Sequence, residues 1–346
     1  MNLCVLYRLK KIHKSDIILD MRVGKLNAEE LKEYVFSFTA KTRDEVVLSA
    51  ALGEDCAALK ADGYILLSSD PITAAMECDS LGSLSIDVAC NDIAANGGEA
   101  IAVMLTVIMP VSAKASQVGE IMQGASKRAS EIGVDIIGGH TEFSDCVTRP
   151  IVSATAVGKA KRLICKSSLS EGDDVYITKL CGIEGTVILA EKYPSLLTET
   201  DRRYLKEFGE MLSVKKESEI LKGYEQVTTM HDVTEGGIVG AVAELVQSAG
   251  LSAQIYEDCV PVAPVTEKLC KELKIDPLKL ISSGSMMFTG KNLDSAIEEL
   301  KAAGIAAHKI GRITKEKENV LIRKSGKKES FSTEPDRLLS ALINGN

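Results

Sequence analysis

Four short polar clusters interrupt otherwise apolar stretches in the first half of this 346-residue chain. Three of them carry carboxylate or amide groups, which are oxygen ligands that Mg²⁺ prefers in proteins. The fourth carries a Gly-Gly pair, which lets backbone N–H groups approach phosphate oxygens closely. Together they predict a site for a magnesium-bound nucleotide. The clusters are Gly53-Glu54-Asp55, Ser68-Ser69-Asp70, Asn91-Asp92 and Gly138-Gly139-His140-Thr141-Glu142.

Two of the acids are expected at strand ends. Asp55 lies where a turn enters an apolar strand predicted at 56–60, and Asp70 lies where a strand predicted at 64–68 meets Pro71. Carboxylates at strand ends can face a shared cleft. A single acid beside Gly or Pro is also an ordinary turn residue. The occurrence of two such acids together with Asn91-Asp92 weakens that alternative.

Asn91-Asp92 interrupts a helix, predicted near 83–96, whose other residues are mostly small and apolar. Amide and carboxylate side chains are poor helix-interior residues and are costly to bury without partners, so metal ligation would explain them. The alternative is an exposed polar stripe, because Asp87 lies four residues before Asn91 and on nearly the same helix face.

The Gly-Gly pair follows an apolar strand predicted at 134–137. A turn at Gly138-Gly139-His140-Thr141 would bring backbone N–H groups to a phosphate. The segment is neither a Walker loop nor a dinucleotide-binding fingerprint. A plain turn explains the same residues without a ligand.

Two strand-to-helix junctions in the second half are further candidates for anion binding. In His231-Asp232-Val233-Thr234-Glu235-Gly236-Gly237, either Asp232 or Thr234 is expected to cap a helix predicted at 234–247, and a helix N-terminus attracts anions. In the junction 178–186, Lys179 is placed to neutralise a phosphate. An ordinary connection between strand and helix explains each segment equally well.

Composition excludes several classes of protein. The 45% hydrophobic residues suffice for two cores, and a net charge of -8 without long charged runs argues against a nucleic-acid surface. No apolar stretch reaches the length of a membrane-spanning helix, and the first residues lack the order of a secretory signal, so a cytoplasmic protein is expected. Nine cysteines and no C-x-x-C spacing predict reduced, mostly buried thiols and no zinc site.

Hydrophobic periodicity predicts an α/β (α+β) protein of two mixed αβ domains. Residues 1–20 are expected to form an N-terminal extension, residues 21–160 a first domain and residues 161–346 a second, with the connection within 158–172. Helices are predicted near 27–38, 83–96, 112–132, 183–191, 201–211, 234–247, 266–273 and 293–303 and at the C-terminus. Strands are predicted near 56–60, 64–68, 100–108, 134–137, 150–157, 174–178, 285–289, 306–313 and 320–323.

The order of these segments resembles the AIR synthase-like superfamily, which includes AIR synthase, thiamine monophosphate kinase, selenophosphate synthetase and HypE-type hydrogenase maturation factors. The motifs of the second half are most similar to the HypE-like branch. The resemblance covers about residue 21 to the C-terminus. It rests on the four clusters above, Asn91-Asp92-Ile93-Ala94-Ala95-Asn96-Gly97-Gly98, Gly182-Ile183-Glu184-Gly185-Thr186, Asp232-Val233-Thr234-Glu235-Gly236-Gly237 and Ile281-Ser282-Ser283-Gly284-Ser285.

The resemblance implies an N-terminal domain that forms a homodimer through its sheet, with ATP and Mg²⁺ held between the two domains. It implies metal ligation by Asp55, Asp70 and Asp92, and ATP binding by Asn91, Gly138, Gly139, His140, Thr141 and Asp232. The implied chemistry is ATP-dependent phosphorylation of an amide-type oxygen or similar acceptor, on a small-molecule or carrier-protein substrate, with hydrogenase maturation as one setting. It assigns no catalytic residue, nucleic-acid partner or membrane partner.

Two departures from the HypE pattern keep other functions open. HypE ends in a cysteine that carries the reacting group, whereas the last cysteine here is Cys270; many relatives also have an acid where His140 stands. Histidine is a poor ligand for Mg²⁺. The alternatives are a non-catalytic nucleotide-binding assembly partner and a divergent AIR synthase or thiamine monophosphate kinase.

Overall fold

Two β-sheets, one in each half of the chain, organise the described part of the molecule. The computed structural model describes residues 28–29, 46–48, 51–54, 56–72 and 76–333. The predicted extension 1–20 and the predicted C-terminal helix lie outside these residues. Of the helix predicted at 27–38, only Ala28 and Glu29 are described, and both are helical.

The first sheet has one covered and one open face. Its buried positions alternate along the strands, as Val103, Leu105 and Val107 show, and two helices pack on that covered face. The order is β1-β2-β3-β6-β4-β5, with β4 and β5 parallel and the other pairs antiparallel. The strands are β1 (Val46–Leu48), β2 (Ala57–Ala61), β3 (Gly63–Ile72), β4 (Glu99–Pro110), β5 (Asp135–Ser144) and β6 (Ile151–Ala160), and the helices are α1 (Cys78–Ala95) and α2 (Ala115–Ile132).

The second sheet is mostly antiparallel and is buried among helices. Its strands are β7 (Asp174–Thr178), β8 (Val227–Asp232), β9 (Ser252–Tyr256), β10 (Met286–Gly290), β11 (Ala307–Thr314), β12 (Val320–Ile322) and β13 (Lys328–Ser330). Their order is β13-β12-β9-β11-β7-β10-β8. The helices of this half are α3 (Ile183–Lys192), α4 (Glu199–Glu210), α5 (Lys215–Leu221), α6 (Gly237–Ala249), α7 (Pro264–Leu273) and α8 (Asp294–Ala302).

These elements confirm the predicted mixed αβ architecture. β7 has the predicted bounds, and Gly250 ends α6 as expected, with a left-handed φ of 67°. The short elements β8, β9 and α5 were not predicted. The chain leaves β6 at Ala160 and enters β7 at Asp174, which is consistent with the predicted connection. The division into domains at 160 remains a prediction.

Two helix starts differ from the prediction. The helix predicted from residue 112 begins later, because the N-cap of α2 is Lys114, whose N–H donates to the Gln117 side chain at 2.9 Å. Asp232 or Thr234 was expected to cap α6, but Gly236 occupies the N-cap with φ 79°. A glycine N-cap needs no side-chain oxygen, so the residue types alone pointed to the wrong positions.

A buried ion pair joins α1 to α2. Both oxygens of the Asp87 carboxylate accept hydrogen bonds from Arg128 Nε, at 2.9 and 2.8 Å, and Arg128 also pairs with Glu131 at 3.0 Å. The Asp87 side chain is fully buried, so the alternative of an exposed polar stripe on α1 is wrong. Burial raises the pKa of Asp87, and the guanidinium of Arg128 opposes that rise.

Removing the cation of this pair is expected to destabilise the protein strongly. Arg128→Met leaves the Asp87 carboxylate buried without its partner, and the expected loss is about 3–5 kcal/mol in the free energy of unfolding. The matched control is Lys127→Met, since Lys127 also pairs with Glu131 but is 78% exposed. Its expected loss is below about 0.5 kcal/mol. Urea denaturation measures both.

The loss in Arg128→Met should also depend on pH. Without the guanidinium, the pKa of folded Asp87 rises further above its value in the unfolded chain, so the folded state binds that proton more tightly. Stability then falls as pH rises through the folded pKa, and the deficit is larger at about pH 8 than at about pH 5. A deficit that stays constant, or grows towards low pH, contradicts this account of the pair.

Candidate functional site

Asp70 and Asp92, two of the predicted metal ligands, meet at one serine hydroxyl. Ser68 Oγ lies 3.2 Å from Asp70 Oδ2 and also donates to Asp92 Oδ2. Ser68 and Asp70 are two residues apart on β3 and therefore share the face on which α1 packs. Since Ser68 has one proton, it can be donated to only one of the two carboxylates at a time. The carboxylate pair is thus assembled by the strand and the helix together.

Asp70 itself lies inside a strand and not at its end. β3 continues through Asp70 and Pro71 to Ile72, with Asp70 opposite Ala154 of β6. Pro71 is tolerated because it is next to the last residue of the strand. The predicted strand end was therefore wrong, although the pleat still directs Asp70 towards α1.

Asp55 lies outside the described residues, but the loop that leads to it is placed against the second half. Gly53 packs against the main-chain carbonyl of Glu244 on α6. Glu54 is paired with Lys166 at 3.7 Å, and its side chain is only 5% exposed. Metal ligation by Asp55 stays a prediction.

Helix α6 also contacts the residue that precedes Asp232. Glu244 Oε2 lies 3.9 Å from Nε2 of His231, the residue that precedes Asp232 on β8. Asp232 ends the strand opposite Met286 of β10, and it is buried. Helix α6 therefore contacts both the loop before Asp55 and the residue before Asp232.

The predicted phosphate-binding turn is a strand. β5 runs from Asp135 to Ser144 and pairs with β4 throughout Gly138, Gly139, His140 and Thr141. The register shifts opposite Val103 and Met104, so the glycines accompany a β-bulge, another use of glycine in extended backbone. The prediction of a turn was wrong for this reason.

The β5 cluster is also distant from Asp70 within one chain. Strands β6 and β4 lie between β3 and β5. At the usual strand spacing, the main chains of β3 and β5 are about 14 Å apart. His140 and Glu142 are exposed on β5, with Nε2 and Oε2 3.3 Å apart. The structure therefore brings together Asp70 and Asp92 but not the Gly-Gly segment.

Asn91 is buried, and its amide is committed to the main chain of the second half. Its Nδ2 donates to the carbonyl of Leu212 at 2.9 Å, and its Oδ1 accepts from the N–H of Val214 at 2.9 Å. This geometry explains a polar residue in an apolar helix without ligand binding. It supports a role in joining α1 to the segment 211–214 and does not support Asn91 as a nucleotide ligand.

Lys179 is likewise committed within the protein. Its Nζ lies 2.6 Å from Glu217 Oε1 and donates to the carbonyls of Met211, Ser213 and Gly284 at 2.9, 2.7 and 3.0 Å. An ammonium group has three protons, and these four acceptors use them all. The prediction that Lys179 neutralises a phosphate is wrong for this arrangement.

The two predicted helix N-terminal anion sites are covered by the chain itself. A Cβ on Gly185 of α3 would lie 2.4 Å from Leu280 Cγ, and one on Gly237 of α6 would lie 2.7 Å from the Leu280 carbonyl oxygen. The N–H of Gly185 already donates to the Ile281 carbonyl at 2.9 Å. These glycines allow close packing of the segment 278–281. Anion binding at the two junctions stays a prediction.

A buried acid lies beside the same segment. Burial raises the pKa of Glu184 to about 7, whereas hydrogen bonds from Ser283 oppose the rise. Neither Glu184 nor Glu217 is identified as a candidate by the residue types around it in the sequence. Neither stands in a pattern that predicts burial, because their partners are distant in sequence.

The donor set at Ser68 suits magnesium. Two carboxylates and a hydroxyl are hard oxygen ligands, the kind that Mg²⁺ selects. In the described residues, no group of three or more His, Cys, Asp and Glu side chains is placed to hold a metal ion. A site at Asp70 and Asp92 would therefore need further oxygens from Asp55, the nucleotide or water.

Among the residues that the structure describes, no helix is long and apolar enough to cross a membrane.

Two relatives share this arrangement of segments. A putative hydrogenase expression/formation protein of Methanocaldococcus jannaschii is 27% identical over 249 residues, covering 70% of this chain and 72% of the relative. A selenide, water dikinase of Cronobacter sakazakii is 30% identical over 190 residues, covering 54% of this chain and 53% of the relative. The second match thus spans about half of each protein.

Solved structures show the same fold. HypE in the HypE-HypF complex matches with a TM-score of 0.72 and 21% identity, covering 87% of this chain and 98% of that one. HypE in complex with ATP matches with a TM-score of 0.68 and 18% identity, covering 91% and 97%. The models for the N-terminal and C-terminal domains of AIR synthase related proteins match residues 53–160 and 170–324, together well over half of the chain. The chain therefore belongs to the AIR synthase related protein family.

Proposed function

We propose that this protein is an ATP- and magnesium-dependent enzyme that phosphorylates an amide-type oxygen or a similar acceptor. The observation that carries the proposal is the pair of carboxylates, Asp70 and Asp92, held together at Ser68 in a member of this family. One structural neighbour is described as a complex with ATP, and one relative is named a dikinase.

In this proposal Asp70 and Asp92 hold Mg²⁺, with Asp55 as the expected third ligand and Asp232 contributing from the second half. The ion would supply charge neutralisation for the transferred phosphoryl group. Ser68 keeps the two carboxylates at a fixed separation through its contacts with both. Phosphoryl transfer of this kind depends on positioned charges more than on a protein nucleophile.

The thiols near these elements do not favour a covalent mechanism. Burial raises the pKa of Cys90 to about 12, and burial also raises the pKa of Cys181. Cys270, the last cysteine, is buried, and its pKa is raised to about 12. Since the thiolate is the reactive form, none of the three suits attack or carriage of a substrate group.

The acceptor is proposed from the relatives' names and has two forms. A carbamoyl group, which has an amide-type oxygen, fits the relative from Rhodobacter capsulatus that is named carbamoyl dehydratase HypE, and a small inorganic acceptor fits the selenide, water dikinase relative. A second candidate function is a non-catalytic nucleotide-binding partner in assembly, since the burial of Cys270 does not favour a reaction on that thiol. We place the protein in the cytoplasm on its composition alone.

Asp92→Asn is expected to weaken magnesium-dependent ATP binding by at least about tenfold, because it removes a charged oxygen ligand at the metal. Titration calorimetry with ATP, with and without Mg²⁺, measures the effect. Asp62→Asn is the matched control, since Asp62 is exposed between β2 and β3, away from Ser68. Equal binding by the two variants would refute the site.

Turnover distinguishes the two candidate functions. Release of ADP is measured with selenide, thiamine monophosphate and a carbamoyl-bearing thiol peptide as acceptors. Acceptor-dependent ADP release that Asp92→Asn abolishes supports the enzyme. Tight, magnesium-dependent ATP binding without turnover on any of these supports the assembly partner.

We also propose that the protein is a homodimer that associates through the open face of the first sheet. Met104, Thr155 and Ser69 lie side by side on that face, as the strand register shows, and Met104 is 46% exposed. Ile137 on the neighbouring strand β5 is 62% exposed. Large exposed apolar side chains in one sheet are typical of an interface.

Met104→Asp is expected to convert this dimer to a monomer, because a carboxylate buried between two sheets would lack a partner. Tyr204→Asp is the control, since Tyr204 is 51% exposed on α4, in the other half of the chain. Sedimentation equilibrium gives the mass of each. A wild-type monomer at micromolar concentration, or a Met104→Asp dimer, would exclude this interface.

A further inference from the structure

Lys179 forms an unusual connection between loops. It follows β7 directly and has a φ of 55°, a conformation that residues other than glycine seldom adopt. Its side chain is 14% exposed, and that of its partner Glu217 is 1% exposed. An ion pair needs only Glu217, yet three main-chain carbonyls also surround the ammonium. The carbonyls belong to two separate loops, so Lys179 connects these loops to each other.

The first loop is the segment 211–214, which supplies the carbonyls of Met211 and Ser213. Between and after these residues, Leu212 and Val214 bind the Asn91 amide. Asn91 directly precedes Asp92 on α1. The segment is therefore held on one side by Lys179 and on the other by the helix turn that carries Asp92.

The second loop is the segment 282–285, which supplies the carbonyl of Gly284. The carbonyl of Ser285 accepts from the N–H of Val233 at 3.0 Å, and Val233 directly follows Asp232. Gly284 has a φ of 100°, and a Cβ there would lie 2.6 Å from the Met211 carbonyl oxygen, so only glycine allows the two loops to approach this closely.

We propose that Lys179 is a positioning residue that fixes the Asp92 side of the nucleotide site relative to the Asp232 side. The Lys179 ammonium binds the segment 211–214, and this segment binds Asn91, which precedes Asp92 on α1. The same ammonium binds the Gly284 carbonyl. The neighbouring residue Ser285 binds Val233, which follows Asp232 at the end of β8. The inference rests on the proposed function, because its consequence is the spacing of groups that would hold Mg²⁺ and ATP.

Charge at this point also has an electrostatic role within the protein. Burial lowers the pKa of Lys179, while Glu217 and Asp87 raise it. A neutral side chain of similar length, methionine, removes the charge and the donors but keeps the apolar stem.

The test compares Lys179→Met with Lys215→Met. Lys215 is the matched control because its Nζ also donates to a main-chain carbonyl, that of Ile132 at 2.7 Å, and joins the two halves without contacting the segment 282–285. Amide hydrogen exchange of the ligand-free protein is read at Val214 and Val233. Lys179→Met is expected to accelerate exchange at both by about tenfold or more, and Lys215→Met at Val214 at most.

Titration with ATP and Mg²⁺ gives the second readout. The dissociation constant is expected to rise at least about tenfold in Lys179→Met and less than about twofold in Lys215→Met. If Lys179→Met does not fold, Lys179→Arg replaces it. The guanidinium keeps the charge for Glu217 but cannot place one nitrogen among three carbonyls, so a smaller acceleration at both amides is expected.

The outcomes separate the inference from the proposed function. Exchange that changes at neither amide, or at only one, in the Lys179 variants overturns the positioning role. Coupled acceleration at both amides with unchanged ATP affinity overturns it as well. A wild-type protein that binds no ATP with Mg²⁺ refutes the proposed function, and with it the nucleotide role of Lys179, even where both amides respond.

Discussion

Helix α1 is buried along most of its length, so each of its buried polar side chains must have a partner, and the rest of the site depends on this constraint. One face packs on β3 and β6, and others contact α2, α5 and β8. A polar group buried without a hydrogen bond costs several kcal/mol by order of magnitude. The structure meets the requirement with a different partner for each residue: Arg128 for Asp87, the main chain of Leu212 and Val214 for Asn91, and Ser68 for Asp92.

The hydrogen bonds with these partners fix the rotation of α1 about its axis and its position along that axis relative to its neighbours. Rotation of α1 about its axis would break the Asp87 ion pair and the Asn91 hydrogen bonds together. The partner of Asp87 lies in the first half of the chain, and the partners of Asn91 lie in the second. Asp92 is then placed next to Asp70 as a consequence of bonds made by other residues. The position of a candidate metal ligand is therefore set by structural hydrogen bonds one and five residues earlier in the helix.

The alternation of helices and strands could be predicted from the sequence, and so could the meeting of Asp70 and Asp92 at one place. Periodicity identifies an element because it reflects which face is buried, as in β6 and α2. It did not predict β8 or β9, or the partners of Asn91 and Lys179, which lie 32 to 123 residues away. Those contacts depend on how the two halves pack.

Two expectations about glycine show a common physical cause, because glycine has several uses. Gly138-Gly139 was interpreted as a turn, and the junction that contains Gly236 and Gly237 as an open helix N-terminus. In the structure the first pair accompanies a bulge in an edge strand, and Gly237 allows Leu280 and its neighbours to pack closely. A missing Cβ permits a turn, a bulge or a close approach, and the residue type alone does not distinguish them.

The buried ion pair of each half is better explained by its geometry than by a contribution to stability. Asp87, Arg128, Lys179 and Glu217 all have side chains at most 14% exposed. Well-packed apolar residues of similar volume often stabilise a protein as much as a buried ion pair does, because the ions are first removed from water. Apolar residues, however, cannot gather three carbonyls around one point. The directional hydrogen bonds of the Lys179 ammonium hold the segment 211–214, which in turn binds the Asn91 amide next to Asp92.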